Sequence, residues 1–144
     1  PGSTGNGGSI IIDPREFVIS NDGRISGNSE GSGTAGNIFI AGGNLTIDKA
    51  SISARSASRD GGNIKFTLSD KLVLRRNSDI STNARGDGGN IDIAAKFVVA
   101  PPRENSNIKA DASEGNGGRV QINTQGIFGI AFSPIETELS DITV

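Results

Sequence analysis

The 144-residue chain is predicted to be all-β, a right-handed parallel β-helix of about five rungs with three short strands each. Three observations predict it. A glycine-led opening recurs at a near-constant interval, each interval holds three short apolar clusters alternating with period two, and large side chains are too few for a compact globule.

The opening occurs as Gly7-Gly8-Ser9-Ile10-Ile11-Ile12, Gly36-Asn37-Ile38-Phe39-Ile40, Gly61-Gly62-Asn63-Ile64-Lys65-Phe66, Gly88-Gly89-Asn90-Ile91-Asp92-Ile93 and Gly117-Gly118-Arg119-Val120-Gln121-Ile122. Its repeating glycine falls at 8, 36, 62, 89 and 118, spacings of 28, 26, 27 and 29 that lie in the range of solenoid repeats. The first strand of each rung turns 10/12, 38/40, 64/66, 91/93 and 120/122 inward. The second is expected to turn in Phe17/Ile19, Leu45/Ile47, Leu72/Leu74, Phe97/Val99 and the Ile127–Ile130 region. The third centres on Ile25, Ile52, Ile80, Ile108 and Ile142. Gly, Ser, Asn and Asp fill the corners, where left-handed backbone is expected. Asn37, Asn63 and Asn90 share one corner, where stacked side-chain amides can bond along the axis. Handedness follows from the strong preference of parallel crossovers.

Composition supports an elongated repeat. Only 33% of residues are hydrophobic, Gly supplies 21 and the aromatics are six Phe. A narrow solenoid core tolerates that poverty, and a disordered chain would not keep a threefold apolar pattern through successive periods. Two segments break the pattern. Ala100-Pro101-Pro102-Arg103-Glu104-Asn105 and Ala131 to Ser140 are expected to leave the coil as loops on one edge, so that 100–107 and 131–140 form a candidate binding face.

Net charge is −2, with 14 basic and 16 acidic residues intermixed, so no basic stripe points to nucleic acid. No apolar run reaches transmembrane length and no signal peptide is visible. Without Cys or His the chain has no thiolate chemistry and lacks the commonest general base and metal ligand. No catalytic, cofactor or metal site is assigned. A polysaccharide-lyase reading would need carboxylates clustered on adjacent rungs, and Asp48, Asp92 and Asp111 are scattered. Asp87-Gly88-Gly89-Asn90-Ile91-Asp92 lacks the nine-residue period of calcium-binding rolls, and Arg85-Gly86-Asp87 is a three-residue string in a glycine corner. The sequon Asn44-Leu45-Thr46 carries little weight. The opening at Pro1, without Met, reads as a fragment of a longer chain, one β-helix segment over 1–144.

The run Gly62-Asn63-Ile64-Lys65-Phe66 through Leu72-Val73-Leu74 to Asn77-Ser78-Asp79-Ile80-Ser81-Thr82 resembles the repeats of filamentous-haemagglutinin-like exoproteins. So does Gly118-Arg119-Val120-Gln121-Ile122-Asn123-Thr124-Gln125-Gly126-Ile127-Phe128-Gly129-Ile130, most closely the cyanobacterial haemagglutination-domain or S-layer-family members. The resemblance implies two-partner secretion through an outer-membrane translocator, folding outside the cell, and adhesion, aggregation or matrix formation without catalytic residues.

Alternation points Val18, Thr46, Val73 and Val98 outward from the second strand, with Ile11 and Phe39 outward from the first. These six form a candidate partner face, because stacked outward apolar residues make a contiguous patch. The ends are expected to abut further β-helix, either of the same chain or of a second subunit in a head-to-tail filament.

Overall fold

The computed structural model describes residues 4–144, and all of its strands lie in three parallel sheets. The first turn holds β1 (Ile10–Ile12), β2 (Glu16–Ser20) and β3 (Arg24–Ser26). The second holds β4 (Ile38–Gly42), β5 (Asn44–Asp48) and β6 (Ser51–Ser53), and the third β7 (Ile64–Leu68), β8 (Lys71–Arg75) and β9 (Asp79–Ser81). Next come β10 (Ile91–Ala94), β11 (Phe97–Val99) and β12 (Asn107–Lys109), then β13 (Val120–Asn123), β14 (Gly126–Phe128), β15 (Ala131–Phe132) and β16 (Asp141–Thr143). The sheets run β1-β4-β7-β10-β13, β2-β5-β8-β11-β14 and β3-β6-β9-β12-β16-β15. The chain is therefore an all-β parallel solenoid of about four turns from first layer to last.

Register stacks like on like. Ile38, Ile64, Ile91 and Val120 follow one another in the first sheet, as do Ile40, Phe66, Ile93 and Ile122. Ile52, Ile80, Ile108 and Ile142 do the same in the third. In the middle layers these columns are almost fully buried, so a thin bar of Ile and Leu with Phe66, Val98 and several Ala forms the core. Burying such a side chain contributes about 1.5–3 kcal/mol, which lets a few per turn hold a chain this poor in large residues.

One expected face is reversed. In the second sheet Val98 stacks on Leu72 and is fully buried, while Phe97 and Val99 flank it outward. The sequence Phe97-Val98-Val99 is apolar at all three positions, so alternation alone leaves its parity undetermined. Stacking on the neighbouring layer decides it, and a one-residue shift exchanges every side chain between faces.

The glycines serve another purpose than expected. At Gly36, Gly62, Gly89 and Gly118 an added Cβ would sit about 1.9–2.0 Å from the carbonyl oxygen of the glycine one layer back. Close backbone approach between layers, not left-handed geometry, requires glycine in this column. Left-handed backbone instead clusters at the corner after the second strand, at Asn21, Asp22, Lys49, Arg76, Asn77 and Asn105. Arg and Lys there depart from the Gly/Ser/Asn/Asp expectation.

The asparagine corner bonds along the axis chiefly from backbone to side chain, and among the described residues side-chain amides meet only where Asn63 donates to Asn37 at 3.3 Å. The amide N–H groups of Asn63, Asn90 and Arg119 donate to the side-chain oxygens of Asn37, Asn63 and Asn90 at 2.9, 3.0 and 3.2 Å. A buried serine ladder joins the other corner, with the Ser78 and Ser106 N–H groups donating to the hydroxyls of Ser106 and Ser140. Each ladder satisfies backbone donors that a corner would otherwise strand.

Residues 131–140 are not a simple outward loop. Ala131 and Phe132 form β15, which pairs beyond β16, and 133–140 then doubles back so that β16 can insert between β15 and β12.

Candidate functional site

On the second sheet, the outward column reads Val18, Thr46, Val73, Val99 and Phe128, one residue per layer. Three of these, Val18, Thr46 and Val73, belong to the expected partner face. Val98 does not, and Val99 and Phe128 take the places that parity reversal gives them. Val18 and Phe128, at the two ends, are the most exposed of the column at 64% and 55%. Phe128 lies over the backbone of Gly126, which has no side chain to displace it, and its ring centroid is 6.1 Å from that of Phe97. Lys96 Nζ stands 5.7 Å above the Phe97 ring. The interval from first to second inward position is seven residues in four layers (Ile10 to Phe17, Ile38 to Leu45, Ile91 to Val98, Val120 to Ile127) and eight in the third (Ile64 to Leu72), so it favours the observed parity at Val98.

Ile11 and Phe39 stack on each other on the first sheet, a separate face, where the column continues as Lys65, Asp92 and Gln121. The six expected residues therefore do not form one patch.

The two interrupting segments are tied to the coil. Pro102–Glu104 is a short 3-10 turn, and both Glu104 carboxylate oxygens accept from the Arg75 guanidinium at 2.7 and 2.8 Å. Arg76 pairs in the same way with Asp48. The Arg75 hydrogen bonds hold the Glu104 carboxyl below its ordinary range, and the Arg76 guanidinium does the same for Asp48. From the 133–140 segment, Glu136 reaches back to Lys109 Nζ at 2.8 Å and accepts from the Asn107 side chain at 3.2 Å. Burial pulls the Lys109 ammonium down, but Glu136 and Asp79 outweigh it and leave its pKa raised.

The Arg75–Glu104 and Arg76–Asp48 pairs lie at the corner after the second strand, whereas the Glu136 contacts lie on the outer face of the third sheet. Arg55 crosses it, donating to Ser81 Oγ at 2.8 Å and to Asp79 at 3.0 Å. Lys109 Nζ lies 3.2 Å from the other Asp79 oxygen, close enough to pair charges but outside hydrogen-bond geometry. A line of ion pairs thus runs Arg55–Asp79–Lys109–Glu136 along the axis.

The remaining motifs are structural. Arg85 pairs with Glu114, and the Asp87 carboxylate accepts from the Asn116 N–H, so Arg85-Gly86-Asp87 is held within the coil. Asn44 of the sequon opens β5, its side-chain oxygen buried. Among the described residues no three His, Cys, Asp or Glu side chains converge as a metal set, and no helix is long and apolar enough to cross a membrane. No family model, curated protein or solved structure matches the chain, so the parallel β-solenoid itself is the class that the fold and surface define.

Proposed function

We propose that this solenoid is a length of structural or adhesive rod from an exported bacterial surface protein, acting in adhesion, aggregation or filament formation and without a catalytic step. One observation carries the reading: among the described residues, β1, β2 and β3 of the first layer pair on one side only, and their inward residues Ile10, Ile12, Phe17 and Ile25 are partly exposed. An open solenoid edge over an incompletely covered core is a template for more solenoid. At the other end β13 and β14 offer open edges, while β15 covers the third sheet. Further β-helix, of the same chain or of a second copy in head-to-tail register, would complete both ends. The likeness of the Gly62–Thr82 and Gly118–Ile130 runs to filamentous-haemagglutinin-like repeats supports export through an outer-membrane translocator and an extracellular setting.

Sedimentation across a concentration series, with negative-stain microscopy, tests the assembly. End-to-end oligomers that grow with concentration and change little with salt are expected, because backbone pairing and apolar contact dominate the joint. A stable monomer at high concentration overturns it.

A further inference from the structure

The outer face of the third sheet changes character along the axis. Over β9, β12 and β16 it is covered by Arg55, Glu136 and Thr137, which occupy Asp79, Ser81, Asn107, Lys109 and Asp141. Over β3 and β6 no side chain of the described residues ties across it in the same way. There an open cavity of about 220 Å³ is lined by Arg24, Ser26, Asn28, Ser51, Ser53 and Arg55.

Several of its groups keep donor capacity free, although Arg55 is engaged by Ser81 and Asp79 and the Ser26 hydroxyl accepts from the Asn28 N–H at 3.4 Å. Ser53 is 8% exposed, yet its hydroxyl makes no hydrogen bond among the described residues and opens on this cavity. The hydroxyl faces the cavity, where water or a ligand oxygen can pair with it. Arg24 makes no ion pair among the described residues, whereas Asp79 neutralises Arg55. The Asn28 side-chain oxygen accepts from the Arg55 N–H at 2.9 Å, which leaves its NH₂ group to donate. No carboxylate lines the cavity.

One unopposed cation with several hydroxyl and amide donors fits a singly charged oxyanion that also carries hydroxyls. A second hollow, of about 480 Å³, adjoins at Asn28 and Arg55 and follows the corner along the axis, with Ala57 and Ala84 in its lining. Small apolar side chains between polar ones suit the two-sided surface of a sugar ring. Glu30 lines that second hollow, so an anionic group is favoured at the Arg24 end.

We propose that this cleft binds an acidic oligosaccharide, with one uronate carboxylate on Arg24 and ring hydroxyls on Ser53, Ser51 and Asn28. A guanidinium grips a carboxylate with two parallel hydrogen bonds, while the serines exchange donor and acceptor roles with sugar hydroxyls. The site lies on a side face, so it stands or falls separately from the end-to-end assembly of the rod.

Calorimetric titration with trigalacturonate, alongside maltotriose and inorganic sulfate, tests the assignment. Trigalacturonate is expected to bind and the neutral sugar not to. Arg24→Ala should weaken binding about tenfold or more, as loss of a charge-assisted pair does. Ser53→Ala should weaken it severalfold, Lys65→Ala on the first sheet should leave it unchanged, and circular dichroism should show all three variants folded. No binding of trigalacturonate overturns the proposal, as does binding indifferent to Arg24. Sulfate binding as tightly as trigalacturonate would reduce the site to a simple anion contact and also overturn it. Binding by a protein that sediments as a monomer would sink the rod reading and keep this one.

Discussion

Val98 and Val99 are adjacent, chemically identical and placed on opposite sides of the same strand, so they test the register of the second sheet directly. Val98 is fully buried over Leu72, and Val99 faces outward, half-buried. Val98→Ala removes two methyl groups from a filled column. At about 0.8 kcal/mol per buried carbon the transfer loss is about 1.6 kcal/mol. The cavity left between layers raises the total to roughly 2–3 kcal/mol, because backbone pairing above and below limits collapse. Val99→Ala removes the same atoms from a partly wet surface and should cost about 0.5–1 kcal/mol. For a chain of this size 1 kcal/mol moves the melting temperature by roughly 3–4 °C. Val98→Ala should therefore lower it by about 6–12 °C and Val99→Ala by about 2–4 °C. The chain has no Trp or Tyr, so far-ultraviolet circular dichroism is the suitable probe. A larger drop for Val99→Ala would place Phe97 and Val99 inward and refute the register.

Gly62→Ala should abolish or severely destabilise folding, because its Cβ would lie 1.9 Å from the Gly36 carbonyl oxygen, while Gly8→Ala, with nothing within 4 Å, should express and melt as the parent does. Glu104 has its pKa lowered in the fold, so its contribution is present above the unfolded value near 4.5 and is lost as pH falls through the folded one. Acid titration of stability should accordingly show a steeper loss below about pH 4.5 in the parent than in Glu104→Gln. Glu136→Ala should free the 133–140 segment from Lys109 and Asn107 and speed thermolysin cleavage beside the exposed Ile135 and Leu139 severalfold. Unchanged cleavage would mean that β15 and the Thr137–Asp141 and Ser140–Pro101 hydrogen bonds hold the segment without Glu136.

The period and the first and third strands were legible because later layers alternate cleanly and fix the parity of Ile10-Ile11-Ile12 and Ile38-Phe39-Ile40, which are apolar at every position. Ile64-Lys65-Phe66 and Asp79-Ile80-Ser81 alternate unambiguously, and glycines mark every start. Phe97-Val98-Val99 offers an apolar residue at every position, and only the layer beneath can choose between them. The use of Arg76 and Lys49 in left-handed backbone was hidden for a related reason. Arg76 is held by Asp48 from the preceding layer, a partner 28 positions away that local turn preferences do not register. β15 escaped notice because a two-residue strand has no periodicity. The cleft at Arg24 was invisible as well. Its serines look like ordinary corner residues until the layers align Ser26 with Ser53 and Arg24 with Ser51.

Stacking also separates what the fold needs from what the surface can vary. Inward columns must repeat, since each side chain sits between its counterparts one layer up and one layer down. Outward columns carry no such demand, and here they diverge. The first sheet passes from Ile11 and Phe39 to Lys65, Asp92 and Gln121, the second keeps an apolar stripe from Val18 to Phe128, and the third changes from an open cationic cleft to a closed ion-pair line. Substitutions of outward residues on different faces should be nearly independent in stability, because they share no partner and lie on opposite sides of a common core. Inward neighbours in one column should couple strongly. Combining Ile64→Val with Ile91→Val, which touch through adjacent layers, should therefore depart from additivity, whereas Val18→Thr with Arg24→Ala should add within about 0.5 kcal/mol. Additive behaviour of the core pair in urea denaturation would mean that layers relax independently, and the view of the core as one continuous bar would have to be given up.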